Sequence, residues 1–396
     1  MSRQHWSTAK IKDLSEYLTV GFVGSMSNLF QEDGIPLLRG QNIKPYVLDM
    51  TNLKYISEET HRKWRKSALK AGDVVIVRVG YPGTACVIPE GLGDLNAASL
   101  VIVRPAKDKL DPYYLSYVLN SDWGKANVLG RLVGAAQQVF NTSTAAELEI
   151  PAPDISTQRR IAGILSAYDE LIANNQRRIA ALEQMARALY REWFVYFRAP
   201  GVVMGADGMP EGWEVNVVDD IVQRIPVGKR FEQKTVLETG AIPVLDQGRT
   251  GVIGYHNEEP GVHASEDNPV IVFANHTCYQ RIIHFPFSAI QNVLPVIPKP
   301  SSERNIYWLH WVLSGLVVFN DYKGHWPELI AKEVYVPPFQ LCETFGDIVG
   351  PMHRLIWYLE SSNANLRRTR DLLLPRLMSG RVEVNPTGRE GTLVFG

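Results

Sequence analysis

The chain has 396 residues, 45% of them hydrophobic and 21% charged, with a formal net charge of −1. At ~100–200 residues per domain this length suits two or three globular domains, and the near-neutral balance excludes binding of nucleic acid through uniform positive charge. No run reaches the ~18 apolar residues of a membrane-spanning helix.

From its first residue the chain reads as follows. Residues 1–14 hold no apolar stretch of secretory-leader type, so no signal segment is expected. Cys86, Cys278 and Cys342 are odd in number and far apart. That argues against a disulfide framework and for a reducing, cytoplasmic setting. The first predicted domain, residues 1–152, contains strand-like "IPLL" at Ile35–Leu38, "DVVIVRVG" from Asp73 and "LEIPAP" from Leu148. A long helix follows within 153–200, from about Ser156 to Phe194. Its apolar seam steps 3,4,3,4 through Ile161, Ile164, Tyr168, Leu171, Asn175, Arg178, Leu182, Met185 and Leu189. Asn175 sits at an a-type position of this heptad, where a buried amide fixes register at some cost in stability.

The second predicted domain, residues 201–338, repeats the first. Trp213 matches Trp6 and "IPVL" at Ile242–Leu245 matches "IPLL"; both pairs are 207 apart. "PVIVFANH" from Pro269 resembles "DVVIVRVG", and "VYVPPF" from Val334 resembles "LEIPAP" at a separation of 186. The shrinking offset means that the second copy has lost about twenty residues, a loss that surface loops absorb. Residues 339–385 repeat the long helix. Phe345, Ile348, Met352, Leu355, Leu359, Ser362, Leu366, Thr369 and Leu373 each lie 184 after their counterparts. Pro351 is expected to kink this helix or to mark its start. Residues 386–396 form a tail. Charge is uneven: residues 1–150 carry 17 Lys+Arg against 15 Asp+Glu, and residues 201–335 carry 10 against 16. The two helical segments with their tails use only Arg as cation, the better residue for fixed ion pairs.

The signatures of catalysis are weak. Val336-Pro337-Pro338-Phe339 imitates an amino-methyltransferase loop, but its valine cannot accept from a target amine. Gly248, Gly251 and Gly254 lack dinucleotide-binding spacing. Asp219 or Asp220 followed by Glu232-Gln233-Lys234 mimics a nuclease motif, at a frequency that chance supplies. His256, His263, His276, Cys278 and His284 lack zinc-ligand spacing. No catalytic residue, metal or cofactor is therefore assigned.

Base-reading side chains, by contrast, recur in loops at matching places. Arg suits guanine and Asn or Gln suits adenine, while Thr and apolar groups suit the thymine methyl. The first domain offers Arg39, Gln41 and Asn42, then Arg78, Tyr81 and Thr84, then Gln137, Gln138, Asn141 and Thr142. The second offers Gln247, Arg249 and Thr250, then Asn275, Thr277 and Tyr279, then Lys323 and His325.

With "IPLLRGQNI", "GDVVIVRVGYPG", "ELEIPAPDISTQRRIAGILSAYDELI", "ALEQMARALYREWF" and "LRRTRDLLLPRLMSGRV" in this duplicated order, the chain resembles the specificity subunit of type I restriction–modification systems. The resemblance implies an α+β fold with two duplicated target-recognition domains separated by a pair of long antiparallel, coiled-coil helices. It also implies a non-catalytic subunit that binds a bipartite double-stranded DNA target, one half-site per domain. Two adenine methyltransferase subunits, and motor–nuclease subunits, would assemble on it. The acidic second domain departs from a uniform DNA-facing surface. A free-standing methyltransferase or nuclease, and a scaffold that never touches DNA, are the alternatives.

Overall fold

The computed structural model describes residues 6–132, 139–206, 208–248, 251–302, 304–320 and 324–382. The chain divides into two compact units: residues 1–173 with 364–396, and residues 174–363. The dividing points fall inside the two long helices, so each unit holds one copy of the duplicated domain with part of both helices.

In unit 1 the chain forms β1 (Thr8–Lys10), β2 (Ser15–Val20), β3 (Ile35–Leu38), β4 (Ile43–Lys44), β5 (Val47–Leu48), β6 (Lys54–Ile56), α1 (Glu58–Lys63) and β7 (Ala68–Leu69). It continues through β8 (Val74–Val77), β9 (Ala85–Val87), β10 (Leu95–Ala97), β11 (Leu100–Pro105), α2 (Pro112–Asn120), α3 (Asp122–Leu132), α4 (Thr142–Ala146) and β12 (Glu149–Pro151) into α5 (Ile155–Tyr190). One sheet has the order β2-β11-β8-β9 and the other β6-β3-β10-β7; β1 closes antiparallel on β12. Every residue of β8 is buried, as its unbroken "VVIV" demands of a central strand. At the end of that sheet Arg104 holds the fully buried Asp73 with two 2.7 Å hydrogen bonds.

Unit 2 forms β13 (Glu214–Val217), α6 (Val218–Ile221), β14 (Val222–Arg224), β15 (Ile242–Leu245), β16 (Val252–His256), β17 (Val270–Ala274), β18 (Gln280–Ile283), β19 (Ser288–Ala289) and β20 (Val293–Pro298). Then come α7 (Ile306–Leu313), α8 (Trp326–Ile330), β21 (Glu333–Val336) and α9 (Phe339–Met378). Its sheets repeat the plan: β14-β20-β17-β18, then β16-β15-β19, with β13 closing on β21. Both units contain the same parallel pair, β3 with β10 and β15 with β19, inside otherwise antiparallel pairing. The residues lost from the second copy are legible too: among the described residues nothing matches α1, the β4–β5 hairpin or α3. α2 and α7 start from equivalent caps, with Asp111 accepting from the Tyr114 amide and Asn305 from the Tyr307 amide, both at 3.0 Å. Each such cap stabilises a helix by roughly 1 kcal/mol.

The helical seam keeps its period but changes phase. Ile161, Tyr168, Asn175, Leu182 and Leu189 face inward wholly or in part, as expected. Between them the inward residues are Leu165, Ile172, Ile179 and Ala186, whereas Leu171 and Met185 are 52% and 55% exposed. In α9 the same one-residue displacement puts Val349, Ile356, Asn363 and Arg370 inward, in place of Ile348, Leu355, Ser362 and Thr369. The 184-residue correspondence survives; the steps run 4,3 instead of 3,4. Hydrophobicity alone favoured the other phase, because the true seam contains two polar residues that are satisfied across it. Asn175 donates to Asn363 at 2.9 Å in unit 2, and Arg370 ion-pairs with Asp169 in unit 1. The helices run antiparallel in each unit: in unit 2 Asn175 meets Asn363 while Tyr190 meets Phe345. Pro351 does not mark a helix start, since α9 begins twelve residues before it and runs through it. Val336 ends β21, and Pro337-Pro338 links it directly to α9.

Candidate nucleic-acid interface

In unit 1 the three predicted loop stretches come together. β3 ends beside β8, so close that a Cβ on Gly40 would lie 3.6 Å from Val77. This brings Arg39 and Gln41 beside the turn that joins β8 to β9. That turn carries Arg78, Tyr81 and Thr84, and it is tied down by Gly83 N to Val77 O (3.0 Å) and Thr84 N to Tyr81 O (3.2 Å). Gly80 and Gly83 take the positive φ that so tight a turn needs. The stretch before α4 joins from below, where the amide of the buried Phe140 donates to Arg78 O at 3.0 Å. The firmly held turn pushes Val79 and Tyr81 outward, to 61% and 82% exposure. The Nε donors of Arg39 and Arg78 are enclosed without a partner among the described residues.

Unit 2 assembles the same three stretches. The His276 amide donates to Gln247 Oε1 (3.0 Å) and Thr277 Oγ1 donates to Gln247 O (2.7 Å), joining the loop after β15 to the turn after β17. The His325 amide donates to Asn275 O at 2.9 Å, the counterpart of Phe140 on Arg78. The junction of the last two stretches is thus built into both copies by matching backbone bonds, while the first stretch joins them through side-chain bonds in unit 2.

Individual residues divide by what their side chains already hold. Asn42 is buried, donating to Asp49 O and Thr51 O and accepting from the Arg39 amide, all at 3.1 Å, so it shapes the loop from within. Asn141 caps α4, accepting from the Thr144 amide and from the Ser143 and Thr144 hydroxyls; Thr142 opens that helix. Asn275 Oδ1 accepts from the Trp326 amide at 2.8 Å. His325 is 1% exposed, which removes it from the surface. Arg39 and Gln41 each donate to Asn52 O at 3.4 Å, and Gln247 and Thr277 hold the bonds given above; with Arg78, Tyr81, Thr84 and Tyr279 they still lie at the patches. Gln137, Gln138, Arg249, Thr250 and Lys323 lie outside the described residues.

Three participants escaped the sequence reading. Phe30 gathers Arg39 and Lys54 around its ring, the guanidinium at 5.7 Å and the ammonium at 5.9 Å from its centre. The antiparallel pairing of β3 with β6, Leu37 opposite Lys54, creates this cluster. A run of apolar residues followed by another at hairpin distance was its available signal. In unit 2 Arg281 lies beneath Gly251, donating to its carbonyl at 2.8 Å. A Cβ on Gly251, whose φ is +73°, would collide with that guanidinium. Burial pushes the Arg281 pKa below the usual arginine value. Two histidines of this unit are engaged within the protein. His256 meets Ser288 Oγ at 2.9 Å and stacks on Phe231, and His284 stacks on Trp357. Among the described residues no group of three or more His, Cys, Asp or Glu is placed to hold a metal. No helix among them is long and apolar enough to cross a membrane.

Residues 4–184 match the family described as type I restriction modification DNA specificity domain. The type I restriction enzyme MjaIX specificity subunit of Methanocaldococcus jannaschii is 22% identical, over 96% of this chain and 94% of that protein. The first part of the chain is thus similar to type I restriction–modification specificity domains, and nearly its whole length is similar to one specificity subunit. The putative MjaX specificity subunit of the same organism is 27% identical over 54% of this chain, a match that spans about half of that relative (51%). Among solved structures, the type I restriction–modification S subunit from M. genitalium has the same fold. Its TM-score is 0.61 at 18% identity, over 95% of this chain and 97% of that one.

Proposed function

We propose that this specificity subunit reads a bipartite DNA target, one half-site with each recognition domain, and performs no chemistry on it. It supplies the address in the cytoplasm for two adenine methyltransferase subunits, with motor–nuclease subunits joining for restriction. The observation that carries this reading is the repeated convergence. In each unit the same three loops meet on one patch, joined by Phe140 to Arg78 in one copy and His325 to Asn275 in the other. The frame is common while the presented groups differ: guanidinium groups and an outward tyrosine in unit 1, amide, hydroxyl and phenol groups in unit 2. Shared frames with different reading groups suit two different half-sites, since arginine and amide side chains select different bases. A net charge near zero is compatible with this, because base-edge bonds specify while phosphate contacts only position.

The test is an exchange of residues 1–152 for the matching part of a related subunit, followed by mapping of methylated adenines in cells that carry the methyltransferase. One half of the target should change and the other should stay. A change in both halves refutes independent reading. Methyl transfer by this chain alone would refute the non-catalytic role.

A further inference from the structure

Tyr46 occupies the turn of the β4–β5 hairpin with φ +67°, a backbone conformation that a residue with a side chain adopts only when its surroundings impose it. Two groups enclose its ring. On one side lies the Tyr117 ring of α2, at 4.9 Å between centroids. On the other lies the guanidinium of Arg370, far along the chain in α9, at 4.6 Å from the ring centre. Arg370 is itself fixed. It ion-pairs with Asp169 of α5 and bonds Asp371 Oδ1 at 2.9 Å, and its side chain is only 12% exposed. Asp169 also accepts from the Tyr117 hydroxyl at 2.5 Å, closing a ring of four side chains from α2, α5, α9 and the hairpin.

The hairpin leads straight to the reading patch. Tyr46 N donates to Ala85 O at 3.1 Å, next to Thr84. The hairpin ends are drawn together by Asp49 N to Asn42 O (2.8 Å), and Asn42 Oδ1 accepts from the Arg39 amide. Displacing Tyr46 therefore shifts Arg39, Gln41 and Thr84 together. The counterpart of Arg370 is Ala186 and that of Asp169 is His353, both 184 residues away, and among the described residues unit 2 has no hairpin of this kind. The device serves one domain only.

We propose that Arg370 is a positioning residue for the first recognition domain: the ion pair between α5 and α9 braces the Tyr46 turn and so sets the loop that reads the first half-site. This rests on the DNA-reading function proposed above. It ties the selectivity of that domain to the pairing of the two helices, without Arg370 touching DNA.

The experiment uses the assembled methyltransferase complex. Arg370→Met with Asp169→Asn removes both charges together and strands neither, while the amide oxygen introduced by the second change would still accept from Tyr117. Methylated-adenine mapping should show discrimination at the half-site assigned to residues 1–152 falling about tenfold, the scale of one good base contact, with the other half-site unchanged. The salt dependence of binding should keep its slope, because no phosphate contact is lost. Arg370→Lys should recover part of the selectivity. An unchanged pattern, equal loosening of both halves, or a slope shallower by about one would overturn the proposal. Should the double variant fail to assemble, Tyr46→Leu, with the ion pair intact, is expected to relax the same half-site; an unchanged pattern there overturns it equally. A wild-type complex that marks no split site would overturn the proposed function and this proposal with it, whereas a split site that the variants leave untouched overturns this proposal alone.

Discussion

Six residues beyond its cap, α2 of unit 1 presents Tyr117 to the carboxylate of Asp169; six residues beyond its cap, α7 of unit 2 presents Trp311 to the imidazole of His353. The helices, caps and sheets around these pairs match, yet the pairs share no side chain. In unit 1 the acceptor is an anion and needs Arg370. In unit 2 it is a neutral ring: Trp311 Nε1 donates to His353 Nε2 at 3.2 Å, and the place of the arginine is taken by an alanine. A duplicated frame thus constrains donor–acceptor satisfaction at a position rather than the residues that achieve it. The price of the ionic solution is a dependence on every member of the set; the aromatic solution depends instead on staying unprotonated.

The comparison can be broken most forcefully at Asp73. Its buried carboxylate and Arg104 form a bidentate pair in unit 1, and the residue at the matching place in unit 2 is Pro269. Asp73→Ala is expected to destabilise unit 1 by ~3–5 kcal/mol, the usual cost of removing one partner from a buried pair. Hydrogen exchange read peptide by peptide should show the loss in residues 6–132 and leave 208–248 protected; equal loss in both would mean that the units do not unfold separately.

Acid should act on the other unit. Burial pulls the His284 pKa down to about 4, with Arg354 adding to it, and burial pulls His353 down to about 3. Burial also lowers His310. Unfolded histidines take up protons near pH 6.5, so the unfolded form binds more protons as pH falls below that value. The stability that these neutral rings contribute is complete above pH 6.5 and drains away between there and about pH 3. Exchange protection in residues 251–320 should fall over that window, and His353→Leu should flatten the dependence. A pH-independent unit 2 would show that these rings charge freely.

Smaller effects sharpen the likeness instead. Asp111→Ala and Asn305→Ala each remove one cap and should each cost about 1 kcal/mol in denaturant unfolding; a large disparity would show that the two caps are not equivalent. The least disturbance to folding is expected at the outermost side chain. Tyr81→Ala should shift stability by no more than ~0.5 kcal/mol, as at an ordinary surface site, while lowering affinity for DNA in the complex. A stability loss well above that would place Tyr81 in the fold rather than in the reading surface.

The duplication, the two helices and their 184-residue correspondence were legible because apolar spacing records burial. The phase of the seam was not, because Asn363 and Arg370 look like surface residues until Asn175 and Asp169 are placed opposite them. The loops were legible as groups and ambiguous as residues. An asparagine that caps α4, such as Asn141, and one that would read adenine offer the same donors and acceptors. Only the structure shows that Asn42, Asn141 and Asn275 have partners within the protein. The Arg370–Tyr46 contact left no pattern at all, since its members share no element and no period.

The hydrogen bond between Asn175 and Asn363 also fixes the register of the helices in unit 2. Both amides are nearly enclosed, at 8% and 3% exposure, within a seam of largely apolar neighbours. A pairing that slipped by one heptad would set Asn175 against Ile356 and leave an amide dry and unbonded, at a cost of ~1–3 kcal/mol. Such a slipped pairing would be populated roughly 5–150 times less than the correct one, by the usual relation between energy and population. One amide pair thereby favours the aligned register of the two helices over a slipped one.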